Sequence, residues 1–186
     1  MLDDIWTADE VLALPDVPGL KFECIDGELL VTPGPAYSHE QVVFAFHRDL
    51  HAYVTRTPRV GEVLGSRADV RLDARTLVQP DVFVAPLVGG RPPRDLTECP
   101  HFLLVVEVLS PRSLRYDREV KRRKYQHTSD EYWIVDPVDR HVERWRPDDT
   151  RPTIVTDVLS WQVSGRSGPL VLKLAALFAE AFGEAP

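Results

Sequence analysis

The sequence predicts an α/β domain with a mixed β-sheet flanked by α-helices, and three observations carry that prediction. Helix-like and strand-like segments follow one another in the order helix, strands, helix, strands. Residues 102–109 form a nearly uninterrupted apolar run, the pattern of a strand covered on both faces. Residues 38–55 repeat apolar side chains at Val43, Phe46, Leu50 and Val54, the spacing of one buried helix face. At 186 residues the chain can bury a substantial core, and a single domain over 1–186 is expected.

The elements follow in order from local signals. Thr7-Ala8-Asp9-Glu10 is a capping box, which predicts a short helix to about Leu14, stopped by Pro15 and Pro18. Residues 21–25 and 28–32 read as strands joined through Asp26-Gly27, a tight-hairpin signal. Ser38-His39-Glu40-Gln41 is a second capping box and opens the longest helix, to about Thr55. Strands are expected at about 60–64, 68–73 and 78–84, then a proline-rich loop over 86–100. After strand 102–109, Ser110-Pro111 ends the run and a helix is expected from about Tyr116 to His127. Residues 131–135 and 141–146 read as a hairpin whose turn starts at Asp136-Pro137. Short strands near 153–157 and 169–172 and an Ala/Leu-rich helix over 173–182 complete the chain.

Composition narrows the function classes. The net charge of −7 argues against sequence-blind coating of nucleic acid, which needs many Lys/Arg–phosphate contacts. The charge is uneven, however. Arg112, Arg115, Arg118, Lys121, Arg122, Arg123 and Lys124 crowd into thirteen residues against only Asp117 and Glu119. That run reads either as a focused anion-binding patch or as a solvated helix face. Cys24 and Cys99 are the only cysteines, which excludes a disulfide scaffold or a zinc ribbon. No apolar run reaches the roughly 18 residues of a membrane span. The acidic Met1–Asp4 start lacks the basic and apolar regions of a signal peptide, so a cytoplasmic location is expected.

Two carboxylates stand in apolar, strand-like runs: Asp81 after Pro80, and Glu107 within residues 102–109. A carboxylate there is costly to bury unless it is paired or holds a metal. The two could anchor a hard cation, with the Val108 carbonyl as a third oxygen. The alternative is a wet strand face or an arginine partner. Lys121 shares a helix face with Asp117 and Tyr125 and could orient a water or stabilise transition-state charge. Its plain alternative is a surface Asp–Lys pair. His47 and His51 are spaced like metal-binding histidines but lack an evident third ligand. His39-Glu40 begins like a zincin helix, but Val43 stands where the second histidine belongs. Ser110 lacks the glycines of a nucleophile elbow, and Asp3-Asp4 and Asp148-Asp149 read as solvated.

A set of motifs in fixed order then resembles a known family. Phe22-Glu23-Cys24-Ile25-Asp26-Gly27-Glu28, Ser38-His39-Glu40-Gln41, Gln79-Pro80-Asp81-Val82, Val106-Glu107-Val108-Leu109-Ser110-Pro111, Tyr116-Asp117-Arg118 with Lys121 and Tyr125, and Glu131-Tyr132-Trp133-Ile134-Val135-Asp136-Pro137 together resemble the putative restriction endonuclease family, a branch of the PD-(D/E)XK nucleases. The resemblance spans about residues 20–146, which it marks as the core, and is most specific from Glu107 to Pro137. It implies a restriction-endonuclease-like mixed β-sheet flanked by α-helices. It implies that Asp81 and Glu107 hold Mg²⁺ or Mn²⁺, and that Lys121 takes the role of the lysine usually found two residues after the second carboxylate, where this chain has Leu109. It implies support from His39 or Glu40 on the first long helix, of which His39 shares the apolar face with Val43 and Phe46. Asp117 and Tyr125 accompany Lys121, and Arg112, Arg115, Arg118 and Arg122 are expected to meet phosphates.

The expected activity is metal-dependent DNA cleavage, with DNA as partner and a homodimer as the means to cut both strands. A nuclease-fold module that binds nucleic acid or a protein without cutting is the alternative, since Leu109 departs from the usual pattern. A metal hydrolase acting on RNA or a nucleotide is a third.

Overall fold

A computed structural model of the protein describes residues 5–184; the Asp3-Asp4 pair lies outside the described residues. The elements run α1 (Ala8–Leu12), β1 (Leu20–Ile25), β2 (Glu28–Pro33), α2 (Tyr37–Thr55), β3 (Gly61–Gly65), β4 (Val70–Asp73), β5 (Thr76–Val78), β6 (Val82–Pro86) and β7 (Leu104–Val108). Then come a π-helical segment Tyr116–Lys121 continuing into α3 (Arg122–Thr128), β8 (Tyr132–Asp136), β9 (His141–Trp145), β10 (Thr153–Val155), β11 (Val158–Trp161), β12 (Leu170–Lys173) and α4 (Leu174–Phe182).

The central sheet has six strands in the order β10-β9-β8-β7-β6-β3. It is mixed: β7 and β8 are parallel, joined through the π-helical segment and α3, and the other neighbours are antiparallel. The side chains of β7 are buried along its whole length, as the apolar run predicts. α2 packs on one face through Val43, Phe46, Leu50 and Val54, together with α4. Phe46 and Trp161 meet Trp133 edge-on, with ring centroids 6.5 and 6.0 Å away, a favoured aromatic geometry. On the other face, Phe83, Phe102, Tyr125 and Tyr132 form a second core.

A separate four-stranded sheet, β2-β1-β5-β4, carries the N-terminal hairpin. Its turn has Asp26 at φ 54° and Gly27 at φ 89°, the left-handed pair that a tight two-residue hairpin requires. A Cβ on Gly27 would also meet the Ile5 side chain at 2.6 Å, so this position demands glycine.

Four local expectations need correction. The Ser38 capping box does not form: Ala36 is the N-cap, the helix starts at Tyr37, and no side chain caps it. Glu40 instead faces the His39 ring at 3.5 Å. The expected strand 78–84 is two strands in two sheets, because Gln79-Pro80-Asp81 turns the chain from β5 to β6. Proline supplies no ladder donor, which suits it to that break. Finally, the helix after β7 opens as a π-turn, and β11, where no strand was expected, pairs with the expected β12.

Among the described residues, no helix is long and apolar enough to cross a membrane.

The C-terminal end of α2 is held by a buried arginine. Arg166 donates to the carbonyls of Pro58 at 2.8 Å and Arg56 at 3.2 Å, and also to that of Tyr53. Its guanidinium lies 5.0 Å from the Tyr53 ring centre. Arg166→Ala strips these carbonyls of their donor in a site with little water. The expected cost is about 2–4 kcal/mol, read as a lower urea midpoint with an unchanged m-value.

Candidate active site

The two sheets and α2 enclose a cleft of about 1010 Å³. Its floor is where the Pro80-Asp81 break, the end of β7 and the π-helical segment meet. Asp81, just before β6, accepts a hydrogen bond from the Val108 amide at 2.8 Å. The Asp81 amide in turn donates to Glu107 Oε2 at 3.4 Å. Antiparallel pairing of β6 with β7 sets this juxtaposition, with Val82 opposite Val106.

Lys121 reaches the same point from the helix. Its Nζ lies 3.0 Å from Glu107 Oε1, 3.1 Å from Glu23 Oε1 and 3.5 Å from Asp117 Oδ1. Tyr125 donates its hydroxyl to Glu107 Oε1 at 3.2 Å. Asp117, Lys121 and Tyr125 therefore share one face, as their spacing predicts. The π-turn widens the helix here; such insertions often occur at functional positions. Tyr132 fastens the segment by donating to the Asp117 carbonyl at 3.1 Å.

His39 enters from the first turns of α2. Its Nε2 lies 2.8 Å from the Val108 carbonyl and 3.3 Å from Asp81 Oδ2. The apolar face of α2 aims it inward, whereas Glu40 remains more exposed.

Four buried carboxylates thus surround one buried lysine: Glu23, Asp81, Glu107 and Asp117. Burial favours the neutral acids, and the neighbours decide the outcome at each. Burial pushes Glu107 up to about 8; Asp81 and Asp117 add repulsion, while Lys121 pulls the other way. Burial also raises Asp117 despite Lys121. At Asp81 burial is outweighed by the His39 hydrogen bond and by Lys21 and His39 charge, which hold it well below the usual range. Burial opposes a charge on His39, yet Asp81 raises it to about 9. Lys121 stays charged because Glu107, Glu23 and Asp117 outweigh its desolvation.

The arginines divide. Arg112 lines the cleft. Arg115 does not; it pairs with Glu119 at 3.3 Å on the surface. Arg118 is taken up by Glu143 at 2.6 Å and Asp136 at 3.1 Å. Arg122 donates to Gln126 at 2.6 Å and lies 4.6 Å from the Trp145 ring centre. The last two serve packing on β8 and β9 and are not placed in the cleft. Asp136, Asp139 and His141 gather at the β8–β9 turn. Asp136 there binds Arg118 and accepts from the Val138 and Asp139 amides, each at 3.0 Å, which stabilises the turn.

Glu23 is the site residue that sequence reasoning passed over. It is 3% exposed and also accepts from the Gln79 amide at 2.8 Å. The signal was available: a carboxylate in a strand, the criterion that singled out Glu107. Unlike Glu107, it follows Lys21 by two residues on the same strand face, so no uninterrupted apolar run frames it.

The chain matches the family described as Uma2, putative restriction endonuclease, over residues 8–175. It belongs to that family. The fold of this Uma2 member is similar to that of a putative nuclease of the DUF820 group from Anabaena variabilis. The TM-score is 0.71 at 17% identity, covering 95% of this chain and 99% of that one. A type IIG restriction endonuclease, BpuSI, matches at a TM-score of 0.39 and 12% identity, over 80% of this chain and 16% of that one. No curated protein matches. The family is the one that the motifs resemble, and the fold agrees with the mixed sheet flanked by helices which that resemblance implies.

Proposed function

We propose that this Uma2 protein is an Mg²⁺- or Mn²⁺-dependent DNA endonuclease. The observation that carries the reading is the meeting of Asp81, Glu107 and Lys121 on the cleft floor, with Lys121 3.0 Å from Glu107 although β7 is followed by Leu109. The lysine comes from the helical segment that follows β7, and its ion pair with Glu107 supports giving it the role of the usual strand-borne lysine.

The residues present fit a hard divalent cation. Asp81, Glu107 and the Val108 carbonyl offer oxygen donors, and a bound cation would displace the proton that Asp81 holds on the His39 imidazole in the metal-free protein. The buried Asp117 Oδ1 lacks a hydrogen-bond partner, with Lys121 Nζ 3.5 Å away, and so leaves a lone pair open in the cleft. A bound cation would polarise the phosphoryl oxygen and lower the pKa of an attacking water. Lys121 stabilises the charge that develops on the phosphate, held in place by Glu23 and Asp117. Tyr125 fixes the Glu107 carboxylate. Arg112 meets a flanking phosphate. Two copies of the chain would be needed to cut both strands with one site each.

The test is cleavage of supercoiled and linear DNA by purified protein with Mg²⁺, Mn²⁺ or EDTA. Metal-dependent nicking that is absent in Glu107→Ala is the expected result. Cutting by that variant at the wild-type rate refutes the assignment. Salt-sensitive DNA binding without cutting under any metal would instead favour a binding module.

A further inference from the structure

The turn from β3 to β4, residues 66–69, carries a side chain that the site described above does not use. Arg67 has φ 82°, a backbone conformation that strains any residue with a Cβ. Such strain persists where the surroundings hold it, and two bonds hold this turn. The Ser66 amide donates to the Asp81 carbonyl at 3.1 Å. The Gln79 side chain donates to Asp69 Oδ1 at 2.7 Å. Both ends of the turn are therefore tied to Gln79-Pro80-Asp81, the segment that supplies the first carboxylate of the site.

Arg67 is exposed and lines the cleft together with Asp81 and Glu107. Among the described residues its guanidinium has no hydrogen bond or ion pair. Both arginines that line the cleft, Arg67 and Arg112, lack a carboxylate partner among the described residues, whereas Arg48, Arg59, Arg71, Arg91 and Arg140, outside it, each have one. A guanidinium left unpaired at the mouth of an acid-rich cleft is available to an anion from outside. Its planar fork suits a phosphate diester, to which it can donate two parallel hydrogen bonds.

We propose that Arg67 binds a backbone phosphate of the nucleic acid next to the scissile one. It does so from the β3–β4 turn, while Arg112 approaches from the segment after β7. The inference rests on the nuclease reading and adds a substrate-binding residue to it. Because a phosphate carries no base information, Arg67 contributes affinity and register without sequence preference.

The test is binding of two fluorescein-labelled DNA duplexes of unrelated sequence to the full chain in EDTA, across a salt series. Arg67→Ala is expected to weaken both by a similar factor of about ten. It should also lower the slope of log K against log salt by about 0.9, the share of one phosphate contact. Arg67→Gly should lose the same affinity yet melt no lower than wild type, since glycine accepts the left-handed backbone. That pairing separates phosphate binding from support of the turn. Arg151→Ala, an exposed arginine outside the cleft, controls for net charge and should leave the slope unchanged. Wild-type binding with an unaltered slope in Arg67→Ala overturns this inference alone. Failure of the wild type to bind either duplex, in EDTA and again with Ca²⁺ in place of a cleavage-supporting metal, overturns it together with the nuclease reading.

Discussion

Lys121→Met is expected to destabilise the metal-free protein by about 3–5 kcal/mol, the range for removing one partner from a buried ion cluster. The side chain is 4% exposed and is the buried cation among Glu23, Glu107 and Asp117. Methionine has nearly the same length and fills the space, so packing loss is small. Glu23 keeps Lys21 at 3.7 Å, but Glu107 and Asp117 lose their nearest counter-charge and must either protonate or open the site to water. Urea unfolding in EDTA reads the loss directly. Adding Asp117→Asn to Lys121→Met should recover part of it, because one of the stranded charges is removed. A cost below about 1 kcal/mol for Lys121→Met would mean that water already reaches the cluster, contrary to the burial seen here.

Glu107→Gln is expected to act in the opposite sense on stability while abolishing function. In the metal-free protein burial pushes the Glu107 carboxyl up to about 8, so a neutral group at this position is favoured by its surroundings. The amide keeps the size of the acid and can still accept from Lys121 and Tyr125. Its melting temperature in EDTA should therefore be no lower than that of wild type. The proposed metal-dependent DNA cleavage should fall by at least about a hundredfold, since in that reading Glu107 supplies one of the charges that anchor the cation at the phosphate. Calorimetric titration of Mn²⁺ into both proteins supplies the second readout: wild type should bind, and Glu107→Gln should bind much more weakly. Retained stability with lost cutting places Glu107 in the chemistry. Loss of both would make it a structural residue, and wild-type cutting would remove it from the mechanism.

These two residues illustrate how differently parts of the site show in the sequence. Glu107 is conspicuous because a charge interrupts an apolar strand, and that contrast lies within a few neighbouring residues. Asp81 is marked by the proline before it, although the chain there forms a turn between sheets instead of strand interior. Lys121 follows from helical spacing with Asp117 and Tyr125, and the π-turn preserves that shared face. Glu23 was passed over because no apolar run frames it, Lys21 lying two residues before it, yet it meets Lys121 at 3.1 Å. The arginine run was the least legible. Equal charges along one helix have unequal fates: Arg112 lines the cleft, while Arg118 is neutralised by Glu143 and Asp136 from β9 and β8.

By itself, the sequence determined the order and type of most elements, the Asp26-Gly27 hairpin, the buried central strand and the Asp81, Glu107 and Lys121 set. Each of these depends on periodicity, turn chemistry or a charge misplaced within a short window, and such signals are local. Only the tertiary structure decided the division into two sheets at Pro80, the entry of Glu23 into the charge cluster, the contact of His39 with Val108 and Asp81, and which arginines remain free. Those outcomes depend on which distant segments meet. The energy of a buried charge is set by the partners within a few ångströms of it, whatever their separation along the chain.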